Sequence, residues 1–327
     1  MNSTTALFSR RDFLLGTAGV MAASAVAATD SAVIDPHKFV LISDVHVPLP
    51  WTEQKYRTGM EYPWVIPAIK KHIQEILDMR PRPCAVICLG DVSIAFSEDK
   101  EYEIATQLFQ PLEDAGIKIV MGVGNHDLRA PFRTYFPRWI GESPVKDKIM
   151  SVTHLADCDF VMLDSLVEPK KRGSYPACTG FGLGDEQAKW LVDFLAKAER
   201  PVLIGAHHQA GALKIDHKIA RAPKAFGYFH GHHHQWMSTY LNNGYKPEFC
   251  PHVRSLGIPS FGIDRDIGYA IVKTSPTMAG AQFVENDYYF PSKPATDARS
   301  PLVRDIIRDN AGRRVLFPFE KECTSQS

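Results

Sequence analysis

The sequence predicts an α/β fold, and three features carry that expectation. Short runs of apolar, β-branched residues alternate with longer stretches whose apolar residues recur at helical spacing. No Ser/Gly/Pro-rich linker, internal repeat or low-complexity block divides the chain after its first residues. The composition, 45% hydrophobic and 23% charged, is that of a globular protein able to bury a core. Residues 1–27 read as a removable leader, 36–290 as one domain and 291–327 as a polar, peripheral C-terminal tail.

In chain order, Phe39–Ile42 is a buried-strand run that ends at Asp44. Ile66, Ile69, Ile73, Ile76 and Leu77 share one face of a helix over 66–79, which Pro81 and Pro83 close. Ala85–Leu89 is the next strand, 100–115 a helix and Ile117–Val123 a third strand. Phe160–Leu163 is again a strand. Gly184-Asp185-Glu186 opens a helix that places Trp190, Leu191, Phe194 and Leu195 at helical spacing. Val202–Ala206 and Ala225–Phe229 are strands, and helix signals then fade. Tyr269–Lys273 and Ala281–Val284 read as strands late in the chain. The loop Pro48–Pro63 carries Trp51, Tyr56 and Tyr62, which suit either a wall for a ligand or the packing of a long loop.

Lys+Arg and Asp+Glu both total 37, and no long basic run occurs, so no stable nucleic-acid partner is expected. The six cysteines form no CxxC pair. Cys84 and Cys88 lie inside an apolar run and read as buried small side chains, while Cys158, Cys178, Cys250 and Cys323 leave pairing open. Ser9-Arg10-Arg11-Asp12-Phe13-Leu14 resembles the twin-arginine export consensus. The apolar stretch Leu14–Ala28 is shorter than the roughly 20 residues that span a bilayer, and Ala25-Val26-Ala27 offers a small-residue cleavage site. The expectation is export in the folded state by the twin-arginine machinery to the periplasm or beyond. The mature chain is then expected to have no transmembrane helix. A Sec signal or an uncleaved anchor is the competing reading.

Polar groups with metal-ligand character recur where the apolar strands end. Asp44-Val45-His46 follows the first strand, Gly90-Asp91 the second and Gly124-Asn125-His126-Asp127 the third. His207-His208 and Gly231-His232-His233-His234 follow Ala206 and Phe229. Carboxylate, imidazole and amide oxygen are the donors that hard and borderline divalent metals take at hydrolytic sites. Each group alone is weak, since Asp-x-His and Gly-Asp are common and a lone histidine is most often a satisfied rim residue. Their joint placement at strand ends, where open α/β sheets put their ligand crevice, is what gives them weight.

In this order the groups resemble the signature of the calcineurin-like metallophosphoesterases: Asp-x-His, Gly-Asp, Gly-Asn-His-Asp/Glu, a lone His, and Gly-His-x-His. The resemblance spans about Phe39 to His234, with Leu163-Asp164-Ser165 and Gly184…Gln187…Trp190-Leu191 as supporting features. It implies a four-layer αββα sandwich of two mixed β-sheets flanked by helices, with two metal ions (Mn, Fe or Zn) at one edge. Asp44, His46 and His234 would hold the first metal, Asp91 would bridge both, and Asn125, His207 and His232 would complete the second. His207 is preferred to His208 because the family's ligand directly follows the strand. His233 occupies the variable position, exposed or behind the ligands. His126 would face the substrate, with Asp127 orienting its imidazole.

The implied activity is hydrolysis of a small phosphoester by a hydroxide made at a metal pair about 3.5–4 Å apart. A phosphodiester is favoured over a monoester, and a cyclic nucleotide or glycerophosphodiester is a suitable substrate. Twin-arginine export of a folded chain suits an enzyme that acquires its metals before leaving the cytoplasm. Three other readings compete. One is an inactive module that uses the same fold to hold a protein partner, although no expected ligand is absent. Another is a histidine-rich metal store, which has no need of Gly-Asn-His-Asp. The third, a metallo-β-lactamase-like hydrolase, lacks its compact His-x-His-x-Asp-His motif here.

Overall fold

The run Phe39–Ile42 is buried throughout because the strand that holds it, β1 (Ile34–Ile42), has a layer packed on each side. Successive residues of a strand point to opposite faces. Val40 and Ile42 therefore enter a core beneath helices, while Phe39 and Leu41 enter a second core between two sheets. The structure, a computed structural model, describes residues 33–53, 62–168, 180–241, 253–263, 265–285 and 314–319.

The first sheet has six strands in the order β14-β13-β12-β1-β2-β3. They are β2 (Arg82–Cys88), β3 (Lys118–Met121), β12 (Gly268–Ser275), β13 (Met278–Glu285) and β14 (Arg314–Pro318) around β1. β1, β2 and β3 run parallel, and β12, β13 and β14 extend the sheet antiparallel. The second six-stranded sheet has the order β10-β11-β9-β8-β5-β4. It comprises β4 (Ser151–His154), β5 (Asp159–Met162), β8 (Val202–Ala206), β9 (Ala225–His230), β10 (Met237–Tyr240) and β11 (Arg254–Gly257). Here β5, β8, β9 and β11 are parallel and the two edge strands antiparallel. A separate hairpin pairs β6 (Leu166–Val167) with β7 (Gly180–Phe181).

Helices α1 (Val65–Asp78), α2 (Asp99–Asp114) and α3 (Arg129–Tyr135) cover the first sheet. Ile69, Ile73 and Ile76 of α1 and Tyr102, Phe109 and Leu112 of α2 pack onto Val40, Ile42, Val86 and Cys88. α4 (Asp185–Lys197) and α5 (Asp216–Arg221) cover the second, with Leu191, Leu195 and Ile219 against Val161, Val202 and Ile204. Between the sheets, Phe39, Leu41 and Ile87 meet Phe160, Met162, Leu203 and Phe229. This is the expected αββα sandwich of two mixed sheets.

The segment expected to be a peripheral tail contributes β14, which pairs with β13 and buries Phe317 between the sheets, 5.0 Å from the ring of Phe229. Its signal is the short run Val315–Phe319 after a long polar stretch, with Val315, Phe317 and Phe319 turned inward. Tyr62 of the aromatic loop is partly buried against the core, edge-to-face with Trp64 at 5.4 Å. The side chain of Trp51 and all of Tyr56 lie outside the described residues, as do Cys178, Cys250, Cys323 and residues 1–32 with the export signal. Cys84, Cys88 and Cys158 are free thiols, and Cys88 and Cys158 are buried. Among the described residues no helix is long and apolar enough to cross a membrane.

Candidate metal centre

Each polar group leaves the C-terminal end of a parallel strand: β1 leads to Asp44, β2 to Asp91, β3 to Asn125, β8 to His207 and β9 to His232. The turns that follow are unusual. Asp44, His46, Asp91, His232 and His234 all have left-handed backbones, with φ between 50° and 67°. Non-glycine residues seldom adopt that region, at a cost of about 1–3 kcal/mol each, and where they do the surroundings must hold them. Here the loops after β1 and β2 are laced together. Asp44 N–H donates to the Gly90 carbonyl at 3.0 Å, His46 N–H to Asp91 at 3.0 Å and Val47 N–H to Val92 at 2.8 Å. The His232 N–H donates to the Asp44 carboxylate at 3.1 Å, tying the second sheet to the first.

Two glycines are required by close approach. A Cβ on Gly124 would lie 2.1 Å from Asp91 Oδ1, and one on Gly231 would lie 1.9 Å from Ser43 Oγ and 2.6 Å from Asp44 Oδ2. The Gly-Asn-His-Asp and Gly-His-x-His motifs thus begin with glycine because a carboxylate sits against each backbone.

The donor atoms converge in two overlapping sets. His46 Nε2 is 3.2 Å from His234 Nε2, and His234 Nε2 is 3.2 Å from Asp44 Oδ1. His207 Nε2 is 3.0 Å from Asp91 Oδ2 and 3.1 Å from Asn125 Oδ1. Asp91 Oδ2 is also 3.8 Å from His46 Nε2. His207, His208 and His232 bring ring nitrogens within 4.8 Å of one another. Asp44, Asp91 and His207 are buried, and His232 is exposed at the mouth. All seven expected ligands meet in this one cluster.

Electrostatics fit a cation. Burial works to raise Asp44 and Asp91, yet the facing His234 and His207 hold both below the usual carboxylate range. Burial opposes charge on His207 too, but the Asp91 and Asp44 carboxylates override it and raise His207 to about 9. At His46 burial, with His126 and His234 beside it, outweighs the same two carboxylates and lowers the imidazole to about 3. The pocket therefore gathers two buried carboxylates, with the His207 imidazole against Asp91. Beside them, two further imidazole nitrogens face each other at hydrogen-bond distance. Carboxylate, imidazole and amide oxygen converging in this way suit divalent transition metals.

His208 has other partners: its Nδ1 lies 2.8 Å from Ser165 Oγ, and its carbonyl accepts the Tyr228 hydroxyl at 2.6 Å. Its ring still approaches His232 at 4.7 Å, and burial lowers its pKa to about 2. His233 is half-buried, its ring 5.3 Å from that of His232. His126 is half-buried at the rim, its ring 4.8 Å from His46, with Nδ1 2.6 Å from the Ile94 carbonyl.

The expected orienting role of Asp127 is corrected by its geometry. Its carboxylate accepts the N–H groups of Gly124, Val92 and Ser93 and the Tyr102 hydroxyl, at 3.0–3.3 Å. The carbonyl of Ile94 lies at His126 Nδ1. Asp127 instead ties the third loop to the second, since a buried carboxylate beside three unpaired N–H groups satisfies them. Burial and Asp91 raise it to about 6.

Supporting residues went unread in the sequence. Ser93 offers its carbonyl to His46 Nδ1 at 3.2 Å and its hydroxyl to Glu101 at 2.6 Å. Arg129 grips buried Asp164 through two hydrogen bonds of 2.7 Å and the Leu166 carbonyl at 2.6 Å. Asp164 stands in the Leu-Asp-Ser motif, but its partner carries no sequence signal beyond following Gly-Asn-His-Asp by two residues.

The layered sandwich and its buried Asp/His/Asn cluster define a class, the metal-dependent hydrolases built at the edge of two packed sheets. More narrowly, the chain belongs to the calcineurin-like phosphoesterase family, whose model matches residues 37–236. A dimetal phosphatase from Danio rerio shares the fold with a TM-score of 0.58 and 14% identity, over 76% of this chain and 96% of that one. A conserved Streptococcus pneumoniae protein, described as a predicted phosphoesterase, aligns over 86% of this chain and 97% of its own at 13% identity and a TM-score of 0.36. A single mutant of Entamoeba histolytica Vps29 aligns over 86% and 99%, at 9% identity and a TM-score of 0.39. No curated protein matches the chain. Family membership and the clustered donors support a metal-dependent phosphoesterase.

Proposed function

We propose that this protein is an exported, dinuclear-metal phosphoesterase that prefers a phosphodiester of a small molecule. The observation that carries the metal pair is Asp91, whose Oδ2 is 3.0 Å from His207 Nε2 on one side and 3.8 Å from His46 Nε2 on the other. Asp44, His46 and His234 would hold one ion, Asn125, His207 and His232 the other, and Asp91 both. Manganese, iron and zinc all suit this set. When bound, such a pair supplies Lewis acidity and a water acidic enough to ionise near neutral pH.

The chain's own groups do the rest. The Ile94 carbonyl accepts a hydrogen bond from His126 Nδ1–H, which leaves Nε2 as the nitrogen that faces away from it. His126 is then suited to hydrogen-bond a phosphoryl oxygen or protonate the departing alkoxide. The diester preference rests on the family resemblance and on export, which favours substrates met outside the cytoplasm. Export itself rests on Ser9–Leu14 and the short apolar stretch behind it.

The test is a panel of chromogenic diesters and monoesters, with protein reconstituted in Mn²⁺, Fe²⁺ or Zn²⁺ and its metal content measured. Two metals per chain and faster diester than monoester turnover are expected. Two tight metals with no turnover of any ester would replace the enzyme with a metal-binding module. Faster monoester turnover would reverse the preference. Substituting Arg10 and Arg11 by Lys should retain the chain in the cytoplasm, and continued export would remove the twin-arginine route.

A further inference from the structure

Among the described residues, seven large hydrophobic side chains are exposed, and two of them, Val167 and Phe181, sit on the β6–β7 hairpin. Phe181 is 47% exposed, yet its ring lies 4.8 Å from that of buried His208 at a tilt of 31°. His208 in turn lies 4.7 Å from His232 and 4.9 Å from His207. A line of rings therefore runs from the buried donors, through His208, to an exposed phenyl face. A singly exposed apolar residue has no meaning by itself. This one adjoins the rim of the metal centre and has a second exposed apolar side chain on its hairpin.

The hairpin is also held in place. Arg129, three residues beyond His126, donates to the Leu166 carbonyl, and its backbone N–H and guanidinium reach Glu168 at 2.7 and 3.2 Å. Gly182 N–H donates to the Ser165 carbonyl at 3.0 Å, and the Ser165 hydroxyl meets His208 Nδ1. Phe181 is thus anchored to the loop that carries Asn125 and His126. The His208 ring lies against that of Phe181, which is still 47% exposed, so the phenyl is supported on one side and open to solvent on the remainder. Tyr62 of the aromatic loop 48–63 is partly buried, packed against the core and the Ile94–Phe96 cluster.

We infer that Phe181 is a specificity-determining residue: its ring is a platform for a planar aromatic or heteroaromatic group esterified to the phosphate. The inference rests on the phosphoesterase reading above. A planar group over the phenyl face gains stacking and apolar burial, whereas a methyl or glycerol ester gains little. Because the group lies away from the reacting phosphorus, the gain belongs to binding and shows in KM.

The experiment compares an aryl phosphodiester and a nucleoside cyclic phosphate with glycerophosphoethanolamine, in wild type, Phe181→Ala, Phe181→Leu and Phe181→Tyr. Phe181→Ala should raise KM for the two planar esters about five- to tenfold, with kcat and the glycerol ester little changed. Phe181→Tyr should restore planar-ester KM, and Phe181→Leu should not. An equal change for both ester classes, or none for either, overturns the platform and leaves the phosphoesterase standing. Calorimetry of phenylphosphonate against methylphosphonate on the metal-loaded protein gives the same comparison without turnover. Discrimination that depends on Phe181, with no ester hydrolysed, would remove the phosphoesterase reading and keep the platform. Absence of discrimination in the wild type would overturn it.

Discussion

His126 and Asp91 are joined by one hydrogen bond, from the His126 backbone N–H to Asp91 Oδ1 at 2.8 Å, yet their side chains have separable tasks. His126→Ala keeps that N–H, so Asp91 stays anchored and the donor cluster intact. We therefore expect kcat to fall by about 10²–10⁴, the usual worth of a positioned acid–base group, while metal content is unchanged. Asp91→Ala removes the carboxylate between the two donor sets and the anion that raises His207. It should leave fewer than two metals per chain and no turnover above background. Metal analysis of both variants decides the matter. Loss of metal in the first, or two metals retained in the second, contradicts these roles. The amide of Asn125, against His207, and the exposed ring of His232 complete the cluster because Gly124 and Gly231 let backbone approach the carboxylates so closely.

At the level of elements, the start of α2 holds the loop after β2. Glu101, buried in the first turn of α2, accepts the Ser93 hydroxyl at 2.6 Å and the Glu98 N–H at 2.8 Å, a capping arrangement that also fixes Ser93 beneath His46. Burial outweighs those hydrogen bonds and pushes Glu101 up to about 8 from its ordinary 4.5. Between those values the folded chain keeps a proton that the unfolded chain has lost. Stability from this group therefore declines as pH rises from 4.5 to 8, by at most about 1.4 kcal/mol per pH unit. Glu101→Gln keeps an acceptor oxygen and carries no titrating proton. Urea unfolding of wild type and variant from pH 5 to 8 should show a shallower decline in the variant, and parallel curves would refute the linkage. Opposite Glu101, Tyr102 gives its hydroxyl to Asp127 at 3.0 Å, so neighbouring residues of one helix brace two of the site's loops.

For the molecule as a whole, the site is a seam. Asp44, His46, Asp91 and Asn125 come from the first sheet and His207, His232 and His234 from the second, so bound metal would fasten the sheets together. Ligand at a hundredfold excess over its Kd stabilises the folded state by about 2.7 kcal/mol. Chelator should lower the unfolding midpoint accordingly, and added metal should restore it; an unchanged midpoint would mean that the cluster holds no metal in the folded protein. Much of this was legible in the chain itself. Apolar β-branched runs and helical spacing marked the main strands and helices, and the placement of Asp, His and Asn after strand ends marked the cluster, because those signals are local. α3, α5 and the short strands β4, β6, β7, β10, β11 and β14 escaped because a few residues carry too little periodicity to be read. The sequence alone determined the α/β alternation and which polar residues follow its strands. Only the tertiary structure decided that Asp127 binds loops rather than His126, that 314–318 completes a sheet, and that Phe181 lies beside His208. Each of those depends on contacts between residues far apart in the chain, where local pattern carries no information.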